Sequence, residues 1–238
     1  MNEFTIIVIA TSVFLAVVSQ LLTGFGFAMV LIPLLMLVTG PAEAVVASNV
    51  MGTVLSTYLL FHDRAYVDRH KALSLLGWSA VGLPLGVAAL SWLPAPVLKW
   101  VIVCVVLGAL CIVALNMALP NNRATTAVAG LLSGSLFTST GVNGPPLVAY
   151  IRANNYSVRE YRGTLTAVFC AQGWLGLAML AVAGKIGSGA LGPALIGLII
   201  MPVGFLVGHR LFRHIDAHKL RIGISLMLVL AVVSVIMR

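Results

Sequence analysis

Thr138-Ser139-Thr140-Gly141-Val142-Asn143-Gly144-Pro145-Pro146 interrupts a long apolar run in the second half of the chain, and Thr23-Gly24-Phe25-Gly26-Phe27 interrupts another in the first. Glycine, asparagine and proline in the middle of such runs free backbone N–H and C=O groups that lipid cannot satisfy. Irregular backbone at that depth is tolerated only against protein or a polar cavity. The two breaks therefore read as halves of one solute-binding centre, and the rest of the chain reads as its scaffold.

The flanking runs say what kind of scaffold. Of 238 residues, 61% are hydrophobic and 8% are charged, and the mean hydropathy is +1.09, far more apolar than a soluble domain of ordinary composition. This predicts an all-α polytopic membrane protein, a single transmembrane domain over 1–238 with no room for a soluble catalytic unit. Apolar runs fall at roughly 4–22, 25–38, 44–61, 72–93, 97–119, 124–151, 165–183, 190–208 and 220–237. Most approach the ~20 residues of a spanning helix, and with 4–38 taken as one region they make about eight hydrophobic helical regions. Two regions are too long for one crossing. As single helices 4–38 would measure about 52 Å and 124–151 about 42 Å, against a hydrocarbon core of about 30 Å. Both contain a break, so both are expected as broken or re-entrant helices.

Sliding the chain against itself uncovers a repeat of about 118 residues, in which Gly26 overlays Gly144 and Leu83-Pro84-Leu85-Gly86 overlays Met201-Pro202-Val203-Gly204. Repeat 1 is expected over about 1–119 and repeat 2 over about 120–238, an arrangement typical of transporters. Basic residues select inverted halves. If both long regions fold back at their breaks, Lys99, Lys185 and Arg238 lie on one side and every other Lys and Arg on the other, as the positive-inside rule requires. Simple crossings throughout would leave no bias. The formal charge of +8 is thereby a matter of orientation in a lipid bilayer, and without a basic face interleaved with aromatics no nucleic-acid partner is expected. Trp92 and Trp100 flank the 93–99 loop as an interface belt would. The N-terminus lacks the basic residue and the cleavage site of a signal peptide, so its run is expected to be a retained span. Cys104, Cys111 and Cys170 have neither metal nor disulfide spacing, and no metal or cofactor is expected.

A helix restarting at membrane depth presents N–H groups with no intrahelical partner and about half a positive charge from its dipole. Two such N-termini facing each other would hold a small oxyanion without a buried Lys or Arg. The expected binding residues are therefore Gly24, Phe25, Gly26 and Phe27 in the first break and Gly141, Asn143, Gly144 and Pro145 in the second. Asn49, Ser139, Thr140 and Gln172 are expected to complete the shell, with Gln20 nearby. For Ser48, Thr53 and Thr164 the preferred reading is a helix–helix hydrogen bond. Glu43, just after Gly40-Pro41, is a candidate for proton coupling beside the simpler reading of a carboxylate at a helix start.

At these residues the chain resembles the sulfite exporter TauE/SafE family of membrane transporters. The resemblance covers essentially the whole chain, with Leu22-Thr23-Gly24-Phe25-Gly26-Phe27 ahead of Ile32-Pro33-Leu34-Leu35, and Gly141-Val142-Asn143-Gly144-Pro145-Pro146 ahead of Leu147-Val148. Many members carry a denser glycine run than this one. The resemblance implies multi-pass insertion in a bacterial inner membrane and transport, in the export direction by family type, of a small anion such as sulfite or an organosulfonate. Alternating access around the paired breaks would be the mechanism, with a homo-oligomer left open. No Gly-x-x-x-x-Gly-Lys-Ser/Thr loop is present for nucleotide-driven transport. The alternatives are a cation-selective transporter or channel and, further off, an intramembrane enzyme, which would need a nucleophile–base pair or metal ligands that the runs lack.

Overall fold

The computed structural model describes residues 2–153 and 156–211. The helices are α1 (Glu3–Thr23), α2 (Phe27–Leu35), α3 (Pro41–Asp63), α4 (Arg69–Trp92), α5 (Ala95–Ala114), α6 (Arg123–Thr140), α7 (Gly144–Ile151), α8 (Val158–Val182) and α9 (Ser188–Leu211), with a 3-10 turn at Arg64–Tyr66. The all-α membrane architecture is the one expected. Of these, α1, α3, α4, α5, α8 and α9 are long and apolar enough to cross a membrane. That is fewer than the expected count of about eight, for two reasons. Helix α6 is diluted by Ser133, Ser135, Thr138, Ser139 and Thr140, and the run 220–237, with Arg213, Lys219, Arg221 and Arg238, lies outside the described residues.

The boundaries follow from local chemistry. Helices α1 and α6 end on Gly24 (φ 83°) and Gly141 (φ 73°), both left-handed, a conformation that a Cβ disfavours. Pro41 opens α3, and Glu43 Oε2 accepts the Gly40 N–H at 2.9 Å. Ser157 and Glu160 make the corresponding capping box on α8, the Ser157 N–H reaching Glu160 Oε2 at 2.9 Å. Asp68 caps α4 by accepting the Lys71 N–H at 3.0 Å.

The succession long, short, long, long in α1–α4 recurs in α6–α9. Partners are exchanged between the two sets: α4 packs on α6, α1 on α9, and α3 on α8. The hydrogen bonds show how the second break folds. Thr126, in the first turn of α6, donates to the hydroxyl of Tyr150 near the end of α7 at 2.7 Å, and the Leu119 N–H ahead of α6 bonds the Ala149 carbonyl at 2.8 Å. Helix α7 thus runs back along α6 and returns to the end where α6 began. Helix α2 likewise packs on α1.

Loops that the charge pattern put on one side meet at one end of the bundle. Tyr156 donates to Asp68 Oδ2 at 2.5 Å, Arg159 to the Tyr66 hydroxyl at 2.8 Å, and Lys71 Nζ to the Tyr150 hydroxyl at 3.2 Å. Partial burial alone would raise the Asp68 carboxyl, but hydrogen bonds from Tyr156 and from the Lys71 and His70 N–H groups hold it below the usual range. At the opposite end the Glu43 carboxylate lies against Gly189 at the start of α9, and Lys99, early in α5, and the loop with Lys185 lie there because α4 and α8 have each traversed the bundle.

The two exchanged seams are built differently. Between α4 and α6, a Cβ on Gly82 would run into the Leu131 carbonyl, one on Gly86 into that of Ser135, one on Gly134 into that of Ser79, and one on Gly130 would lie 2.7 Å from the Leu75 carbonyl. Ser79 donates to the Gly130 carbonyl (3.0 Å), Ser135 to Gly82 (3.1 Å) and Thr138 to Leu83 (2.7 Å). These are the small-residue contacts that let membrane helices approach backbone to backbone. Between α1 and α9 the approach is looser: a Cβ on Gly204 would lie in ordinary contact, 3.4 Å from the Phe14 Cα and the Val17 Cβ, and Gly197 faces the side chains of Val13 and, on α3, Met51. Gly134→Val should cost about 1–3 kcal/mol or more by overpacking, seen as earlier loss of the monodisperse peak on heating in detergent. Gly77→Val, in the same α4 but facing open space, should leave that peak unchanged.

Candidate functional site

The two breaks meet. Gly144, the first residue of α7, packs on Phe25, a Cβ there lying 3.0 Å from the Phe25 Cβ, while Gly141 packs on Ile32 of α2 and lies beside Asn49. Between them is a cavity of about 40 Å³ open to the centres of water-sized molecules, walled by Phe25, Phe27, Asn49, Gly141, Asn143 and Ser48 among others. A water needs about 10–15 Å³ by this measure, so the space suits a solute of a few heavy atoms. Among the described residues, no Lys, Arg, His, Asp or Glu lines it. Its electrostatics are therefore those of backbone and amide dipoles.

The expected residues separate into groups. Phe25, Phe27, Asn49, Gly141 and Asn143 line the cavity, whereas Gly24, Gly26, Gly144, Pro145, Ser139, Thr140 and Gln172 do not. Gly24 and Gly144 shape the breaks, and Gly26 is pinned by the Ser19 and Thr23 side chains. Ser139 and Thr140 donate to the carbonyls of Ser135 and Leu136 one turn back in α6, at 2.7 and 3.0 Å. Thr53 does the same toward Asn49 (2.7 Å), and Thr164 accepts the Asp68 N–H at 3.0 Å. Glu43 is exposed in its capping box, at the end of α3 away from the basic loops.

The breaks are held by side-chain amides, more fully than the residue pattern foretold. Gln20 spans the first one, donating to the Gly24 carbonyl at 3.0 Å and accepting the Phe27 N–H at 3.1 Å. Thr23 accepts the N–H groups of Phe25 and Gly26 at 3.3 and 3.0 Å. In the second break Ser133 donates to the Asn143 carbonyl at 3.0 Å, and the Asn143 amide donates to Gln172 Oε1 at 2.7 Å. Gln172 in turn donates to Ser79 and Ser133 at 2.6 and 2.9 Å. Asn49 donates across to the Phe137 carbonyl at 2.9 Å. Most of the expected donors at the breaks are thus spent or missing. The Phe27 N–H is taken by Gln20, and of the first three residues of α7 only Gly144 carries an N–H, since Pro145 and Pro146 have none.

Sequence reasoning passed over Ser56, Phe137 and Phe169, which also line the cavity. Phe137 and Phe169 carried no signal because aromatic residues in apolar runs are indistinguishable from lipid-facing ones. Ser56 was detectable: Ser48, Asn49, Gly52, Leu55 and Ser56 form one stripe of α3 at helical spacing.

A search of curated proteins and a search of solved structures each returned no match. A family model described as sulfite exporter TauE/SafE matches residues 9–235, which takes in both breaks and all of the helices described above but the first turns of α1. The chain belongs to the sulfite exporter TauE/SafE family, a family of membrane transporters.

Proposed function

We propose that this protein is a secondary transporter that carries a small anion, sulfite or a short organosulfonate, out of the cell across a bacterial inner membrane. The anion binds where the two breaks meet, at Gly141, Asn143, Phe25, Phe27 and Asn49. The observation that carries this reading is the contact between the breaks across a cavity of solute size whose wall, among the described residues, has no ionisable side chain. The N-terminal ends of α2 and α7 converge there, and helix N-termini attract anions.

The cation alternative would use the carbonyls that the same breaks release. The Gly24 and Asn143 carbonyls each already accept, from Gln20 and Ser133, which favours the anion.

Alternating access follows from the two seams. Residues 1–119 and 120–238 act as inverted halves; the close glycine seam of α4 and α6 holds them together, and the looser seam of α1 and α9 slides. Glu43, beside the start of α9, is the carboxylate through which a proton gradient would act. The reading supposes one chain per transport path.

Flux of radiolabelled sulfite and of ethanesulfonate should be measured in proteoliposomes with and without an imposed proton gradient. The expected outcome is saturable flux of at least one anion. A gradient response that persists in Glu43→Gln would remove Glu43 from coupling. Flux of sodium or potassium without either anion would replace the anion reading with the cation one.

A further inference from the structure

Among the described residues, Ser48 differs from most of the buried hydroxyls. Hydroxyls in helical membrane proteins ordinarily spend their proton on the carbonyl one turn back or on a neighbouring helix. Thr53, Thr57, Ser139 and Thr140 take the first course, and Ser79, Thr126 and Ser133 take the second. Ser48 is 1% exposed, and among the described residues its Oγ is the one buried hydroxyl oxygen with no hydrogen-bond partner. It lies in the cavity wall between the breaks, on the α3 stripe that also carries Asn49 and Ser56. A hydroxyl buried in this way destabilises the fold that contains it. Such a group calls for an explanation outside folding.

The cavity supplies one. Its nearest side-chain amides are each tethered through one N–H: Gln20 to the Gly24 carbonyl, Asn49 to the Phe137 carbonyl and Asn143 to Gln172. The Phe27 N–H is occupied, and α7 has lost two first-turn donors to Pro145 and Pro146. An anion entering the site meets in Ser48 a hydroxyl that has given up nothing to the protein. Resting on the anion-transport reading, we propose that Ser48 is a substrate-binding residue whose O–H donates to an oxygen of the bound oxyanion. A hydrogen bond to a charged acceptor is about twice as strong as a neutral one, so the bound anion offsets the burden that the empty site carries.

This assignment separates stability from affinity. Removing a partnered structural hydroxyl lowers stability; removing an unpartnered one leaves it unchanged or raises it. The experiment uses the full chain in detergent, as wild type, Ser48→Ala and Ser48→Thr, melted without additive and across a sulfite series, with sulfite flux measured in parallel in proteoliposomes. Without sulfite, Ser48→Ala should melt at or above the wild-type temperature. It should need about tenfold or more sulfite to reach the wild-type thermal shift and show a similar rise in KM with Vmax largely kept, the loss expected for one hydrogen bond to a charged group. Ser48→Thr, which keeps the hydroxyl, should restore most of both.

A lower melting temperature of Ser48→Ala without sulfite, or a sulfite series superimposable on wild type, would overturn the assignment. Thermal shift without flux in the wild type would overturn the transport reading and leave Ser48 in place. Neither shift nor flux in the wild type would overturn both.

Discussion

Gly144→Leu should abolish anion flux, by about a hundredfold or more, in protein that still inserts and elutes as a single species. Gly144 begins α7 with helical backbone, so the substitution adds no left-handed strain. Its cost is spatial. Already a Cβ would sit 3.0 Å from the Phe25 Cβ and 3.3 Å from the Phe25 carbonyl, and the branched remainder of leucine would force the two breaks apart or fill the space between them. Misplacing groups in a binding site by about 1 Å is enough for a hundredfold loss, whereas overpacking at one position costs only about 1–3 kcal/mol of stability. Gly144→Ala grades the effect, since Phe25 need shift by only a few tenths of an ångström, and it should retain measurable flux. Wild-type flux in Gly144→Leu would remove the contact between the breaks from the mechanism.

Asn143→Leu is expected to be the next most severe change, and its effect has two parts. The substitution removes the amide that donates to Gln172 at 2.7 Å, and it alters the cavity wall that Asn143 lines. Gln172→Leu removes the same hydrogen bond from the other side without touching the cavity. A buried polar group left unpaired costs about 1–3 kcal/mol, although hydrogen bonds between membrane helices average nearer 0.6 kcal/mol. Both variants should therefore melt lower, Gln172→Leu by more because it also loses the bonds to Ser79 and Ser133, and both short of the double substitution. In flux Asn143→Leu should fall at least tenfold below Gln172→Leu, because only Asn143 meets the solute. Equal flux in the two would make Asn143 a purely structural member of the Ser79, Ser133, Gln172 network. A double-mutant cycle on melting gives the coupling between the two amides directly.

Much of this architecture was legible without coordinates because it rests on local or summed properties. Gly24 and Gly141 marked the helix ends since left-handed backbone selects glycine in any context. The lengths of 4–38 and 124–151 demanded breaks whatever their packing. The basic loops announced which ends would meet, and Arg159 on Tyr66 and Lys71 on Tyr150 are the contacts at that end.

Hydroxyls and amides were another matter. Ser48 and Thr53 look alike in the sequence, one turn and a residue apart on α3, and both read as helix–helix hydrogen bonds. Thr53 bonds to the Asn49 carbonyl, while Ser48 bonds to nothing. Ser139 and Thr140, placed in the shell by their nearness to Gly141, turn out to serve α6.

The sequence by itself determined that this is an all-α membrane protein interrupted at Gly24–Gly26 and Gly141–Asn143, because hydropathy, helix length and the intolerance of lipid for unpaired backbone act on a segment without reference to its neighbours. Tertiary structure alone decided which polar groups remain available to a solute. Gln20 plugging α2, Asn49 reaching the Phe137 carbonyl and Gln172 tethering Asn143 each depend on partners brought together from elsewhere in the chain. A hydrogen-bonding group can be satisfied by any of several neighbours, and only packing chooses among them.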